Sequence, residues 1–193
     1  MSPAKASSQA MDLSFRTARL ELMPATAPLT RLAMLDGAAL GAALDAAIPP
    51  TWPHDYLDRD AFEFLLARLE SDPGQLGWWM YFLILTEGGM RTLIGSAGYK
   101  GPPDADGLVE VGYGIVSDRR RRGFASEAVR GLLDRAFARG DVRRAIAETL
   151  PELTGSIAVL ERCGFQRCAG GSEPGVLRFE LTRAAYAAGR AVR

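Results

Sequence analysis

The sequence predicts an α/β fold in which a mixed, mostly antiparallel sheet carries helices on both faces, and three observations lead there. Residues 78–116 hold three successive runs of period-two alternation, WWMYFLILT, RTLIGSAGY and GLVEVGYGIV, parted by turn segments. A long stretch of helical periodicity follows, and beyond it the pattern is strand, helix, strand. With 193 residues, 48% of them hydrophobic, the chain can bury one sizeable core without disulfides or metal.

Taken in order, Arg19 to Met23 alternates polar and apolar residues and stops at Pro24, as a half-buried strand does. Ala27 to Leu35 and Gly37 to Ala47 carry leucine and alanine at helical spacing until Pro49 and Pro50 end them. Thr51 to His54 is a loop that could cover an acceptor site; His54, the one histidine, follows Trp52 and Pro53, and a lone loop histidine is more often merely exposed. Arg59 to Ser71 sets Phe62, Leu65, Leu66 and Leu69 on one helical face and closes at the turn Asp72-Pro-Gly74. Glu87-Gly-Gly89 and the loop Gly101 to Gly107 join the strands of an antiparallel meander. The next helix aligns Phe124, Ala128, Val129, Leu132, Leu133, Ala136 and Phe137 in one stripe and stops at Gly140. A strand at Arg143 to Glu148, a helix from about Leu153 to Cys163 with Gly164 at its left-handed end, and a strand at Val176 to Leu181 complete the order.

Composition narrows the function. Twenty-three basic residues balance 23 acidic ones, so the whole molecule has no electrostatic claim on nucleic acid or on an anionic membrane. Basic residues interleaved with aromatics, which single-stranded nucleic acid would require, are absent. Cys163 and Cys168 are too few for a disulfide framework and match no zinc pattern, so no metal is expected; Cys163 should pack in the core beside Phe165. The opening MSPAKASSQAMDL lacks an apolar signal region, and the longest apolar run, Trp78 to Leu85, is too short to span a bilayer, which points to a cytoplasmic protein.

Against this neutral background the stretch SDRRRRGFASEAVRG, Ser117 to Gly131, sets four arginines before the entrance of a helix. Such an entrance leaves backbone N–H groups without partners and carries the positive end of the helix dipole. Gly123 lets a phosphate approach the backbone without a Cβ in the way, and arginine adds permanently charged, bidentate donors. Neither the P-loop pattern nor GxGxxG is present. Taken alone, the arginines read as a solvated charge run; their position shifts that reading, because at a helix N-terminus they repel one another and the dipole, and an anion would relieve that repulsion.

Arg120-x-x-Gly123-x-Ala125 resembles the R/Q-x-x-G-x-G/A pattern of the GCN5-related N-acetyltransferases (GNAT), which holds the pyrophosphate of coenzyme A. The strand Val109 to Val116 is similar to that family's fourth strand, Ser156 to Phe165 to its second conserved block, and Thr17 to Leu22 to the entry strand of the RimJ/RimL-like branch. The likeness runs from about residue 16 to 182. It implies a GNAT-type sheet splayed between its fourth and fifth strands, here Leu108 to Val116 and Arg143 to Glu148, with acyl-CoA in the gap. Backbone groups of Tyr113, Gly114 and Ile115 would pair with the pantetheine arm, while Arg120, Arg121, Arg122, Gly123, Phe124, Ala125 and Ser126 would hold the pyrophosphate. Gly112 and Gly114 suit a strand approached closely by another backbone, or a simple kink. The domain plan is then a flexible N-terminus over 1–13, a single acetyltransferase domain over 14–183 and a tail over 184–193.

The chemistry implied is acetyl transfer from acetyl-CoA to a primary amine within a ternary complex. An alkylamine is protonated near neutral pH, with a pKa of roughly 10.4, and must lose a proton before it attacks. Glu110, on the strand face opposite Val109 and Val111, is the candidate base, and an ordinary solvent-facing glutamate is the alternative. For the leaving thiolate the family's usual tyrosine is replaced by Leu160; Ser156 matches the serine that faces the sulfur in the RimJ/RimL branch, and serves equally as a helix N-terminal residue. Leu153 stands where relatives commonly carry asparagine. These departures keep a non-catalytic acyl-CoA-binding module as the alternative. A small-molecule or peptide amine is the expected partner, with nucleic acid and membrane excluded, and the chain could act as monomer or homodimer.

Overall fold

The structure, a computed structural model, describes residues 13–191; of the expected flexible segment 1–13, all but Leu13 lies outside the described residues. The described strands are β1 (Phe15–Arg16), β2 (Leu20–Pro24), β3 (Met80–Glu87), β4 (Met90–Tyr99), β5 (Leu108–Ile115), β6 (Arg144–Thr149), β7 (Gln166–Cys168) and β8 (Leu177–Thr182). They form one sheet in the order β1-β2-β3-β4-β5-β6-β8-β7. All neighbours are antiparallel except β5 and β6. The hairpin between β3 and β4 turns on Gly88 and Gly89, both at positive φ, as a tight two-residue turn requires.

The helices are α1 (Ala27–Leu35), α2 (Gly37–Leu44), α3 (Arg59–Ser71), α4 (Phe124–Phe137), α5 (Thr154–Arg162) and α6 (Arg183–Ala191). Thr26, Asp36 and Asp58 cap the first three with side-chain oxygens that accept from Leu29, Ala39 and Ala61 amides. The expected continuation of α2 to Ala47 is cut short at Asp45, which adopts a left-handed conformation; Ala47 then pairs with Arg91 and Leu93 alongside β4. The segment expected as a tail carries α6, whose Tyr186 packs on Phe137 with ring centroids 5.3 Å apart.

Alternation along the strands divides the core in two. Tyr81, Leu83, Leu85, Val109 and Val111 join the stripe of α4 and the buried Leu160, Cys163 and Phe165 on one face. Phe82, Ile84 and Leu93 join Leu40, Leu44, Leu65 and Leu69 from α2 and α3 on the other. β3 is thus buried on both sides, which explains its nearly unbroken apolar run.

The contact between β5 and β6 is short. Only Leu108, Val109 and Glu110 have partners, Arg144, Ala145 and Ile146. Beyond that point β5 continues against β4 through Ile115, while β6 continues against β8 through Thr149. The sheet therefore opens after Glu110, and the opening creates the site.

Candidate active site

A cavity of about 740 Å³ fills this opening. His54, Asp55, Tyr56, Leu57 and Ser96 line it from the side of α1 to α3. Ser126, Thr154, Ser156 and Val159 line it from the side of α4 and α5. It therefore passes through the sheet from one face to the other. The entrances of α4 and α5 both border it, and neither helix has a side-chain cap, in contrast to α1, α2 and α3. At the α5 entrance Thr154, Ser156 and Ile157 already donate to backbone carbonyls, so it is chiefly the α4 entrance whose amides favour an anionic or strongly accepting ligand.

At the α4 entrance Arg121 and Gly123 both have positive φ, 60° and 82°. Glu87 binds Arg122 at 2.7 Å and approaches Arg119 at 3.5 Å, and Asp55 binds Arg120 at 2.6 Å. Arg120 also donates through Nε to the Ile115 carbonyl at 2.9 Å. Among the described residues Arg121 alone of the four arginines has no carboxylate partner, and it borders the cavity. The Ser126 hydroxyl, in a residue 2% exposed, also lacks a protein partner. A buried orphan hydroxyl, an unpaired guanidinium and open helix amides together fit the diphosphate of a coenzyme A thioester.

The expected cofactor residues Tyr113, Gly114, Ile115, Arg120, Arg121, Gly123, Phe124, Ala125 and Ser126 all line this cavity. Arg122 does not; its guanidinium lies over the Phe124 ring, 5.2 Å from the centroid. The ladder bonds from Lys100 N–H to Glu110 C=O and from Val116 N–H to Ile94 C=O fix the alternation of β5. By that alternation the backbone of Gly114 is committed to β4, and that of Tyr113 faces the gap.

Ser156 lines the cavity, and its hydroxyl is 3.1 Å from that of Tyr113, which also donates to the Ser156 carbonyl at 3.0 Å. Burial pushes the Tyr113 phenol well above its ordinary pKa. Leu160, at the family's tyrosine position, is fully buried in the core. Glu110 lies below the opening, outside the cavity lining, and forms an ion pair with Lys100.

His54 departs from its expected exposure. It is 9% exposed, with Nδ1 2.7 Å from the Asp55 carbonyl and Nε2 2.7 Å from the Ser96 hydroxyl. The Trp52 ring meets it edge-on at 6.0 Å. Burial lowers its pKa below 6.5; the Asp55 carbonyl opposes that shift and Arg120 adds to it. The imidazole occupies the space a side chain at residue 114 would take, since a Cβ there would lie 2.2 Å from Cε1. Gly114 is therefore a seat for His54, whereas a Cβ on Gly112 would meet open space. Sequence pattern gave no sign of Ser96, which reads as one more residue of an alternating strand; the glycine opposite it was the available signal.

Among the described residues no three His, Cys, Asp or Glu side chains gather as a metal site, and no helix is long and apolar enough to cross a membrane.

Comparison with known proteins agrees with this geometry. The family model "Acetyltransferase (GNAT) domain" matches residues 30–166. The uncharacterised N-acetyltransferase YjdG of Bacillus subtilis strain 168 is 28% identical over 115 residues, 59% of this chain and 66% of that protein. The uncharacterised N-acetyltransferase p20 of Bacillus licheniformis is 36% identical over 75 residues, 39% of this chain. The chain thus spans about two thirds of the first relative's length and 42% of the second's. The crystal structure of an acetyltransferase from Agrobacterium tumefaciens strain C58 is similar with a TM-score of 0.56 and 26% identity, covering 87% of this chain and 93% of that one. A putative ribosomal-protein-serine acetyltransferase from Vibrio cholerae shares the fold with a TM-score of 0.60 at 21% identity, covering 88% and 97%. With a family model matched over well more than half its length, and a splayed sheet closed by an arginine-rich helix entrance, the chain belongs to the GNAT acetyltransferase family.

Proposed function

We propose that this protein transfers an acetyl group from acetyl-CoA to a primary amine by direct attack in a ternary complex. The carrying observation is the cavity that pierces the sheet, lined by Arg121, Ser126 and the uncapped entrance of α4 on one side and by His54 and Ser96 on the other. Two substrates can then meet at the splay from opposite faces, without an acyl-enzyme between them.

On the donor side, Arg121, Ser126 and the amides at the α4 entrance would hold the diphosphate, and the Tyr113 backbone would pair with the pantetheine arm. On attack the nitrogen lone pair bonds to the thioester carbon, and collapse of the adduct breaks the C–S bond. The thiolate leaves with the bonding pair and needs a proton. Ser156 is suited to supply it: with the Tyr113 hydrogen given to the Ser156 carbonyl, the serine hydroxyl donates to the Tyr113 oxygen until the departing sulfur, a stronger acceptor, takes that hydrogen. Two groups on the acceptor face could take the ammonium proton beforehand, Glu110 and His54.

Calorimetry with acetyl-CoA, followed by thiol release with a panel of primary amines, tests the proposal. Binding together with amine-dependent thiol release is expected. Binding without release for any amine would leave only a CoA-binding module, and no binding at all would overturn both.

A further inference from the structure

We infer that Ser96 and His54 form the proton relay that deprotonates the acceptor amine, with Asp55 and Arg120 as positioning residues. The inference rests on the acetyltransferase proposal and adds to it the base and the order of proton movement.

Hydrogen-bond directions carry it. The Asp55 carbonyl can only accept, so Nδ1 of His54 bears a hydrogen. A neutral imidazole then has its lone pair on Nε2, and the Ser96 hydroxyl, 2.7 Å away, donates to it. The serine oxygen keeps lone pairs for a further donor, and Ser96 lines the cavity beside Gly114, at the strand where the sheet opens. An alkylammonium there can pass a proton to Ser96 Oγ while the serine's own proton moves to Nε2. The products are a neutral amine, an intact serine and an imidazolium. After the amine adds to the carbonyl, Ser156 gives its proton to the departing thiolate and takes up the second surplus proton of the nitrogen, and the imidazolium returns its proton to solvent. Atoms and charge balance with no other reactant.

Three contacts hold the relay. Trp52 packs edge-on to the ring, Gly114 leaves room beneath it, and the Asp55 carboxylate ties the loop to Arg120, whose Nε is fixed by the Ile115 carbonyl. Thr51 Oγ1 adds a second tie, 2.7 Å from Asp118. The base is therefore anchored to the loop that would grip the donor. The charged groups facing the imidazole are Asp55 on its own loop and Arg120 across from it; β4 and β5 present Ser96 and Gly114, which are uncharged. Arg119, Arg121, Arg162 and Glu152 line other parts of the same cavity.

Because the chain has one histidine, nuclear magnetic resonance of tag-free protein reports on His54 without ambiguity. At pH 7 nitrogen-15 shifts should show neutral imidazole, protonated on Nδ1 and bare on Nε2, titrating below 6.5. An imidazolium at pH 7, or the opposite tautomer, would overturn the relay whether or not the enzyme turns over. With an amine from the thiol-release screen, kcat/KM should fall on the acid side with the same midpoint. His54→Gln should abolish that limb and lower kcat by roughly 10²- to 10⁴-fold. Ser96→Ala should lower kcat and move the His54 midpoint, with melting temperatures showing that both variants fold. Acetyl-CoA binding and turnover with the limb intact in His54→Gln, or lost instead in Glu110→Gln, would sink the relay while leaving the acetyltransferase proposal standing. Absence of acetyl-CoA binding would sink the proposal and the inference together.

Discussion

At Gly114 an absent side chain decides what the site contains. A Cβ would lie 2.2 to 2.6 Å from three atoms of the His54 ring. Gly114→Ala should displace the imidazole, lower stability by about 1–3 kcal/mol as overpacking does, and depress turnover more than donor binding; melting curves and separate kcat and KM values check this. Arg121 makes the opposite case, a side chain present with no carboxylate to neutralise it. Arg121→Ala should weaken acetyl-CoA binding by about 1.5–3 kcal/mol, the worth of a hydrogen bond to a charged group, measured by calorimetry. Arg122→Ala should lose less, because Glu87 already holds that guanidinium. The four arginines were plain in the sequence, but which of them is uncommitted was not, since Glu87 and Asp55 lie far along the chain.

The entrance of α4 is held by its own first turn. The Glu127 carboxylate accepts from the Thr17 hydroxyl at 2.6 Å and from the Arg19 amide and Nε at 2.7 Å each. Glu127→Ala should cost on the order of 2 kcal/mol in thermal unfolding and loosen the β1–β2 turn from α4. Gly123, at φ 82°, has only the Arg19 guanidinium near its missing Cβ, at 3.4 Å. Gly123→Val therefore costs backbone strain rather than a clash, about 1–2 kcal/mol, and should weaken acetyl-CoA binding by turning the amides away. The long elements were legible because their periodicities repeat over many residues. β1 and β7, two and three residues long, are too short to show a period and exist only through pairing with β2 and β8.

Acid should destabilise the whole molecule in two stages. Burial holds the folded pKa of His54 below 6.5, so on acidification the unfolded chain takes up that proton first. Its contribution is complete above pH 6.5 and lost as pH falls from there through the folded value. Burial works to raise the Glu127 and Glu148 carboxyls, but hydrogen bonds from Thr17 and Arg19, and from Ser172 and Arg178, outweigh it and hold both below 4.5. Their contribution is complete above 4.5 and disappears as pH falls through the folded values. Melting temperature against pH should thus decline first below 6.5 and again below 4.5, and His54→Gln should remove the first decline alone. By itself the sequence determined the fold class, the meander, the place of the arginine loop at the α4 entrance and the family, because alternation, helical spacing and a contiguous loop are local along the chain. Only the tertiary structure decided that His54 is buried against Ser96, that Tyr113 meets Ser156, and that Glu110 sits below the opening beside Lys100. Those pairings join residues separated by up to 43 positions, across strands whose register fixes which side chains share a face, and a one-residue shift would exchange the faces.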